Sequence, residues 1–322
     1  MNKWTLYLGI FLIAQIALAV GTNIARTDYG AFEPTETLLS FDGKAIDSIV
    51  IEENKDQQVS LSKKDGNWLV SQMHNFHADQ DKVENFLEKL SGMKKGWPVA
   101  STAAAAKRFK VSENEFERKI TLSKKGEQDG LLFIGTSPSF RKVHARSSDE
   151  NAIFAVEFND YEASVKPEDW IDKDVLKHPA AEIAKVELPD VSLSNQEGKL
   201  VVEGVSEEEE TVVEEADRLL RKLTDLRISK VLGAEEKDEY NLDAPILKYS
   251  LTLSSGEAEQ YVYSKQKDAN NYVLKPSHRK EYFEVAGWIV DDIKEFNRSK
   301  LVKKKAVDTT VNAEKQNGPD AS

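Results

Sequence analysis

The sequence predicts an α+β protein of two tandem similar units. Each unit is a mostly antiparallel sheet with one principal helix, and a single N-terminal transmembrane helix precedes them. Three observations carry this expectation. An uncharged apolar run extends from Trp4 to Val20. Features of the body recur at an offset of about 131 to 133 residues, the mark of an internal duplication. Hairpin-length connections join the strand-like runs, which favours antiparallel pairing over parallel crossovers.

The apolar run comes first. At a rise of about 1.5 Å per residue, roughly 17 residues cover about 26 Å of a hydrocarbon layer about 30 Å thick. Gly21, Thr22, Asn23, Ile24 and Ala25 extend it towards the interface, and Arg26 and Asp28 stop it. Residues 1–25 are therefore expected as an anchor and 26–45 as a linker. Trp4 and Tyr7 stand where aromatic rings favour the headgroup level. A cleaved signal peptide is the competing reading, with Ala17-Leu18-Ala19 as its small-x-small site. Lys3 before the run favours a cytoplasmic N-terminus and a body that crosses. The chain has no cysteine, which removes disulfides, thiol catalysis and a lipid-attachment thiol.

Composition bounds the body. The 322 residues are 40% hydrophobic and 31% charged, with a net charge of −12, enough for a folded core and about two domains. Such acidity argues against nucleic acid, because phosphate binding needs a basic surface. Part of it is local: Glu207 to Glu210, Glu214, Glu215 and Asp217 cluster at an expected helix start, where the helix dipole favours carboxylates.

The two units, 46–176 and 177–297, run in step. Ile46 to Ile51 and Ile183 to Leu188 are the first strands. Gly66-Asn67-Trp68-Leu69-Val70 matches Gly198-Lys199-Leu200-Val201-Val202, each after a short polar turn. A helix follows in each copy, with Val83, Phe86, Leu87, Leu90 and Met93 at helical spacing, then Ala216, Leu219, Leu220, Leu223 and Leu226. Asp79 is placed to cap the first helix. Trp97-Pro98-Val99 and Ile228 to Leu232 are extended. Phe109-Lys110-Val111 corresponds to Tyr240-Asn241-Leu242, an apolar anchor before a turn. Ile120-Thr121-Leu122 and Leu251-Thr252-Leu253 alternate as half-buried strands. Leu131 to Ile134, Val143 to Ala145 and Ile153 to Val156 match Gln260 to Tyr263, Tyr272 to Leu274 and Tyr282 to Val285. Closing helices are expected around Asp160 to Val165 and Trp288 to Phe296. Residues 298–322, charged and poor in large apolar side chains, are expected as a disordered tail.

The body resembles the bacterial family catalogued as domain of unknown function 4340. The resemblance rests on Ile46 to Ile51, the Gly66-x-Trp68 turn and the Asp79-to-Met93 helix. It continues in Leu132-Phe133-Ile134-Gly135, in Val143-His144-Ala145-Arg146 before Ile153-Phe154, and in Trp170 to Leu176. It spans about Ile46 to Phe296. It implies a membrane-anchored protein with no assigned catalytic activity, its body on the periplasmic side of a bacterial inner membrane. It further implies a companion of a membrane transport complex of the ABC type linked to gliding motility.

Motifs for chemistry are missing. His74 and His77 lie three apart without a third ligand at recognisable spacing, and no His-Glu-x-x-His helix occurs. His144 reads as a strand-face polar group, and His178 and His278 stand beside prolines or turns. Asp172 with Asp174, and Asp291 with Asp292, are pairs without a context that raises a carboxyl pKa. Neither a G-x-G-x-x-G loop, a G-x-x-x-x-G-K loop nor a G-x-S-x-G elbow is present. Gly135-Thr136-Ser137-Pro138-Ser139 reads as a turn between strands able to face a partner. Trp68 is expected in the core. Trp97, Trp170 and Trp288 are expected at element ends, ring buried and N–H on a carbonyl.

No residue is therefore assigned as catalytic, cofactor-binding or metal-ligating, and no cofactor is expected. The reading is a non-enzymatic, membrane-tethered scaffold or accessory protein that contacts other membrane or periplasmic proteins and not nucleic acid. The alternative is an extracytoplasmic small-ligand-binding or hydrolytic domain with its site between the two units.

Overall fold

The computed structural model describes residues 4, 7, 11–17, 36–53, 57–266 and 270–305. Among the described residues no helix is long and apolar enough to cross a membrane. The anchor expected over residues 1–25 falls largely outside them. Its described residues are helical, with Trp4, Tyr7, Phe11 and Ile13 exposed.

The body is α+β, with antiparallel sheets and few helices. In chain order the first part holds β1 (Ser48–Glu52), β2 (Gln58–Lys64), β3 (Asn67–Val70), β4 (Phe76–His77), α1 (Gln80–Ser91), β5 (Pro98–Ala100), α2 (Ala103–Arg108), β6 (Arg118–Lys124), β7 (Glu127–Ile134), β8 (Lys142–Ser147) and β9 (Ile153–Glu157). Their sheet has the order β4-β3-β2-β1-β6-β7-β8-β9-β5. The second part holds β10 (Ile183–Glu187), β11 (Ser192–Gln196), β12 (Lys199–Val202), β13 (Glu209–Thr211), α3 (Val213–Thr224), β14 (Lys230–Gly233), β15 (Leu247–Leu253), β16 (Ala258–Lys265), β17 (Tyr272–Pro276), β18 (Tyr282–Val285), α4 (Gly287–Lys294), α5 (Arg298–Leu301) and β19 (Val302–Lys304). Its main sheet has the order β12-β11-β10-β15-β16-β17-β18-β14, and β13 pairs with β19.

Turn chemistry sets the registers. Asp65-Gly66, between β2 and β3, has φ of 50° and 86°, and Glu197-Gly198, between β11 and β12, has 53° and 86°. Two successive left-handed residues match the twist of a tight hairpin, and glycine takes the second without strain. In α1, Asp79 caps as expected, its Oδ1 accepting from Lys82 N at 3.0 Å. Val83, Phe86, Leu87, Leu90 and, just past the helix, Met93 are all buried, as are Ala216, Leu219, Leu220 and Leu223 along α3 and Leu226 just past it. Trp68 is buried. Gln80 locks its strand to the helix start, accepting from Trp68 N at 2.7 Å and donating to the Trp68 and Ala78 carbonyls.

Several expectations need correction. Residues 103–108 form a helix that apolar spacing does not announce. Four successive alanines supply the propensity, and Thr102 caps it by accepting from Ala105 N at 3.2 Å. Residues 160–163 make one 3₁₀ turn, not a longer helix, because the chain becomes extended at Ser164 and again at Lys166 before Pro167. Glu209 and Glu210 belong to β13 and not to a helix start. Their partner strand comes from the expected tail: Glu209 faces Lys304 and Glu210 faces Lys303, with Glu210 to Lys303 Nζ at 3.3 Å. Opposite charges on facing strands hold residues 302–304 in place; residues 306–322 lie outside the described ones. Within the expected linker, Leu38 and Leu39 are buried, and Leu38 N donates to Met93 O. Trp170 is buried, but Trp97 is 75% exposed and Trp288 66% exposed. Trp97 precedes the edge strand β5. Trp288 lies off the α4 face on which Val290 and Ile293 are buried.

The chain divides into two compact units that are not collinear with it. The first comprises Met1–Val59 and Glu84–Val165, the second Ser60–Val83 and Lys166–Ser322. Inside the second, Phe76 meets Phe283 edge to face at 5.8 Å. Asp79 N donates to Trp170 O, and Ala78 bridges Ile171.

Candidate functional site

In the first unit the notable surface feature is the turn after β7. Gly135 begins it, and a Cβ there would fall 1.9 Å from the Phe109 carbonyl oxygen, so no larger residue fits. Thr136 N donates to that same carbonyl, and Gly135 N to His144 O. Ser137 Oγ lies within hydrogen-bond reach of the Ser139 carbonyl (2.9 Å) and the Lys142 carbonyl (2.7 Å), closing the loop on itself. Arg141 adopts a left-handed φ of 56°. At the tip Phe140 is 87% exposed, its ring centre 5.2 Å from the Arg141 guanidinium. Beside it runs a groove of about 840 Å³, lined among others by Lys89, Lys142, Tyr161 and Glu162. The exposed ring stands one residue beyond the Gly135–Ser139 turn that the sequence predicts.

His144 sits behind this turn. It is buried on β8, stacked on Phe109 with ring centres 4.1 Å apart, and its Nδ1 contacts Thr136 Oγ1 and O. That is a strand-face polar group with satisfied contacts.

The second unit holds a cavity of about 500 Å³ between α3 and α4. Arg218, Arg221 and Lys222 enter it from α3, with Asp225 and Arg227 beyond the helix end, and Trp288 and Ile289 from α4. Lys222 pairs with Asp292, and Arg227 Nε pairs with Asp174 at 2.9 Å. Arg218 stands 3.7 Å from Glu215. The Arg221 side chain is exposed and has no hydrogen bond or ion pair among the described residues.

A third cluster is internal to the second unit. Glu259, only 4% exposed, receives Tyr261 OH at 2.6 Å and lies 2.9 Å from His178 Nε2. His278 Nδ1 approaches the same oxygen at 3.3 Å without making a hydrogen bond. Tyr261 stacks on Tyr249 at 4.9 Å, and Tyr249 OH meets Tyr263 OH at 3.1 Å. Burial pushes all three phenols above the ordinary tyrosine value; the Glu259 carboxylate adds to this for Tyr261, and the Tyr263 hydroxyl for Tyr249. Burial also holds His278 below the ordinary histidine value, against the attraction of Glu259. His178 and Glu259 are 81 positions apart, so spacing offered no signal.

The remaining candidates resolve into local roles. Asp174 N donates to Asp172 Oδ1, and Asp174 pairs with Lys177 and Arg227. Asp291 accepts from Tyr272 OH. His74 takes a left-handed φ of 57° with its ring against Gly233, and both His74 and His77 are exposed. Among the described residues no group of three or more His, Cys, Asp or Glu is arranged to hold a metal ion.

Two antiparallel sheets, each carrying a long helix between its third strand and its edge, with surface grooves and an enclosed polar cluster, define an α+β body. The model of the family described as Domain of unknown function (DUF4340) matches residues 68–245, more than half of the chain, and the chain belongs to that family. No curated protein and no solved structure matches it.

Proposed function

We propose that this chain is a non-enzymatic accessory or scaffold protein, anchored by residues 1–25 in a bacterial inner membrane with its body on the periplasmic side. Its partners on this reading are other membrane or periplasmic proteins, an ABC-type transport complex of the gliding-motility kind among them. The observation that carries the reading is Phe140. A phenyl ring held in water at the tip of a hydrogen-bonded turn loses hydration and little conformational freedom when a partner covers it, which is how interface anchors work. Glu259 and its histidines support no rival catalytic reading, since the carboxylate is enclosed by its own partners.

We also infer that the body is a tandem duplication. The order β3-β2-β1-β6-β7-β8-β9-β5 and the order β12-β11-β10-β15-β16-β17-β18-β14 agree strand for strand, and equivalent hairpins carry Asp65-Gly66 and Glu197-Gly198.

Mild crosslinking in intact cells, followed by mass spectrometry of what is joined to the body, tests the accessory role. Membrane or periplasmic proteins are expected, with fewer adducts for Phe140→Asp. Recovery as a lone monomer at native expression overturns it. Intact mass of the natural product decides the anchor: a chain starting after Ala19 removes it.

A further inference from the structure

The groove between α3 and α4 has two unlike walls. On α3, Arg218, Arg221 and Lys222 stand at i, i+3 and i+4, hence on one face, while Ala216, Leu219, Leu220 and Leu223 are buried on the other. On α4, Trp288 and Ile289 form an apolar wall, and Trp288 remains 66% exposed. The Lys222–Asp292 ion pair ties the two helices together. Donors remain unspent on the cationic wall. The Arg221 side chain has no partner among the described residues, Arg227 meets Asp174 at Nε, and Arg218, over the Phe296 ring, lies beyond hydrogen-bond distance of Glu215. In a chain of net charge −12 such a row is a local departure.

The spacing identifies what fits. Arg218 and Lys222, four residues apart on a helix, are separated by about 6 Å along its axis. An extended peptide rises about 3.3 Å per residue and sends alternate side chains to opposite sides, so same-side groups recur at about 6.6 Å. Acidic side chains at every second position then meet Arg218 and Arg221 at one end of the row and, beside its Asp292 partner, Lys222 at the other, while the residues between them meet Trp288 and Ile289. A small acid would engage one or two of these cations, whereas an extended segment can follow the row of positions 218, 221 and 222 along α3.

We propose that the α3–α4 groove is a docking site for an extended segment of a partner protein in which acidic and aliphatic residues alternate. This deepens the accessory reading by naming the partner's chemistry, and rests on that reading only in taking the partner to be a protein.

The test uses the full chain, with a fluorescein-labelled octapeptide of alternating Glu and Leu as probe and anisotropy as readout. Binding is expected to weaken as salt rises, and by about tenfold or more in Arg221→Glu and in Trp288→Ala. Alternating Lys–Leu and Glu–Ser peptides are expected to bind at least about tenfold more weakly. Arg221→Gln, an exposed and nearly isosteric change, keeps the test valid if Arg221→Glu fails to fold, and it too must weaken the probe. Equal binding of the Lys–Leu peptide, or unaltered binding by the Arg221 and Trp288 variants, overturns the proposal. So does competition by free glutarate at the concentration at which unlabelled peptide competes, which makes the site one for small acids. Capture by phosphatidylglycerol vesicles that Arg221→Glu abolishes, with no peptide binding, overturns it in favour of a lipid surface. If the probe fails while crosslinking in cells still joins proteins to the body, the docking site alone is withdrawn. If both fail, the accessory reading falls with it.

Discussion

The two sheets share a strand order and differ in what they bury. In the first, Ile120 on β6 stands between Ile51 on β1 and Leu132 on β7, and Arg118 faces Ile134 two positions on. In the second, Leu251 on β15 stands between Val186 on β10 and Glu259 on β16, and Tyr249 faces Tyr261. Aliphatic Leu132 and Ile134 in one sheet stand where the other carries the phenols of Tyr261 and Tyr263, with the Glu259 carboxylate two positions before them. Backbone pairing leaves the choice of interior open, because register only fixes which positions face inward. The apolar version gains from burial of any well-fitting side chain. In the polar version each group must find its partner, so it tolerates fewer arrangements and specifies one more sharply.

Exchanging the residues breaks the comparison most severely. Leu132→Glu puts a carboxylate where Ile120 and Ser147 are the facing residues. We expect a loss of about 3–5 kcal/mol, the range for an uncompensated buried charge. The reverse change, Glu259→Leu, removes the shorter partner of the Tyr261 hydroxyl and leaves it His178 Nε2 at 3.1 Å, and is expected to cost about 1–3 kcal/mol. Denaturant unfolding of both variants measures this, and a Leu132→Glu cost below about 1 kcal/mol removes the contrast.

Alkali acts on the second sheet through its buried phenols. Unfolded tyrosines lose their protons near pH 10, whereas burial keeps Tyr249, Tyr261 and Tyr263 protonated in the fold. Above that pH the unfolded chain binds fewer protons, so stability falls as pH rises. The slope is about 1.4 kcal/mol per pH unit for each tyrosine that stays protonated. Hydrogen exchange near pH 11 is expected to open β15 to β17 before β6 to β8. Tyrosinate absorbance rising freely near pH 10 with the fold intact contradicts this.

A smaller change sharpens the account of Glu259. Tyr261→Phe keeps the stack on Tyr249 and removes the 2.6 Å hydrogen bond to the carboxylate together with the 3.1 Å contact to His178 Nε2. The expected cost is about 2 kcal/mol, that of a hydrogen bond to a charged acceptor. A cost within about 0.5 kcal/mol of zero means that the phenol packs and does not hold the carboxylate.

The contrast also marks which parts of the molecule a linear reading reaches. Asp65-Gly66, Glu197-Gly198, the Asp79 cap and the two helix stripes depend on neighbours within a turn or two, and their chemistry is local. Trp97 and Trp288 escaped because an aromatic residue near an element end is expected to be buried, and only packing decides otherwise; Phe140 lies one residue beyond the Gly135–Ser139 turn and has no spacing signal of its own. Lys303 and Lys304 read as a solvated tail because Glu209 and Glu210, their strand partners, lie more than ninety positions upstream. His178, Glu259 and His278 carry no shared motif, so only the β16–β17 pairing with the turn after β17, and the link ahead of β10, reveal them as one cluster.

The smallest expected effect isolates His278. On the first sheet the residue facing Leu132 from β8 is Ser147, which does not titrate. On the second, His278 approaches Glu259 from beyond the end of β17, with His178, Tyr261, Arg279 and Glu257 around it. Burial lowers its affinity for a proton, Arg279 and His178 lower it further, and the carboxylates of Glu259 and Glu257 oppose them. The folded value therefore lies below that of the unfolded chain, about 6.5. As pH falls below that, the unfolded chain takes up a proton that the folded chain refuses, and stability declines until the folded value is passed. His278→Gln removes this difference. Between about pH 7.5 and 5.5 the wild type is expected to lose stability relative to the variant. Parallel stability curves would mean that the Glu259 attraction cancels the effect of burial, and that the second sheet differs from the first in hydrogen bonding without any acid sensitivity at this histidine.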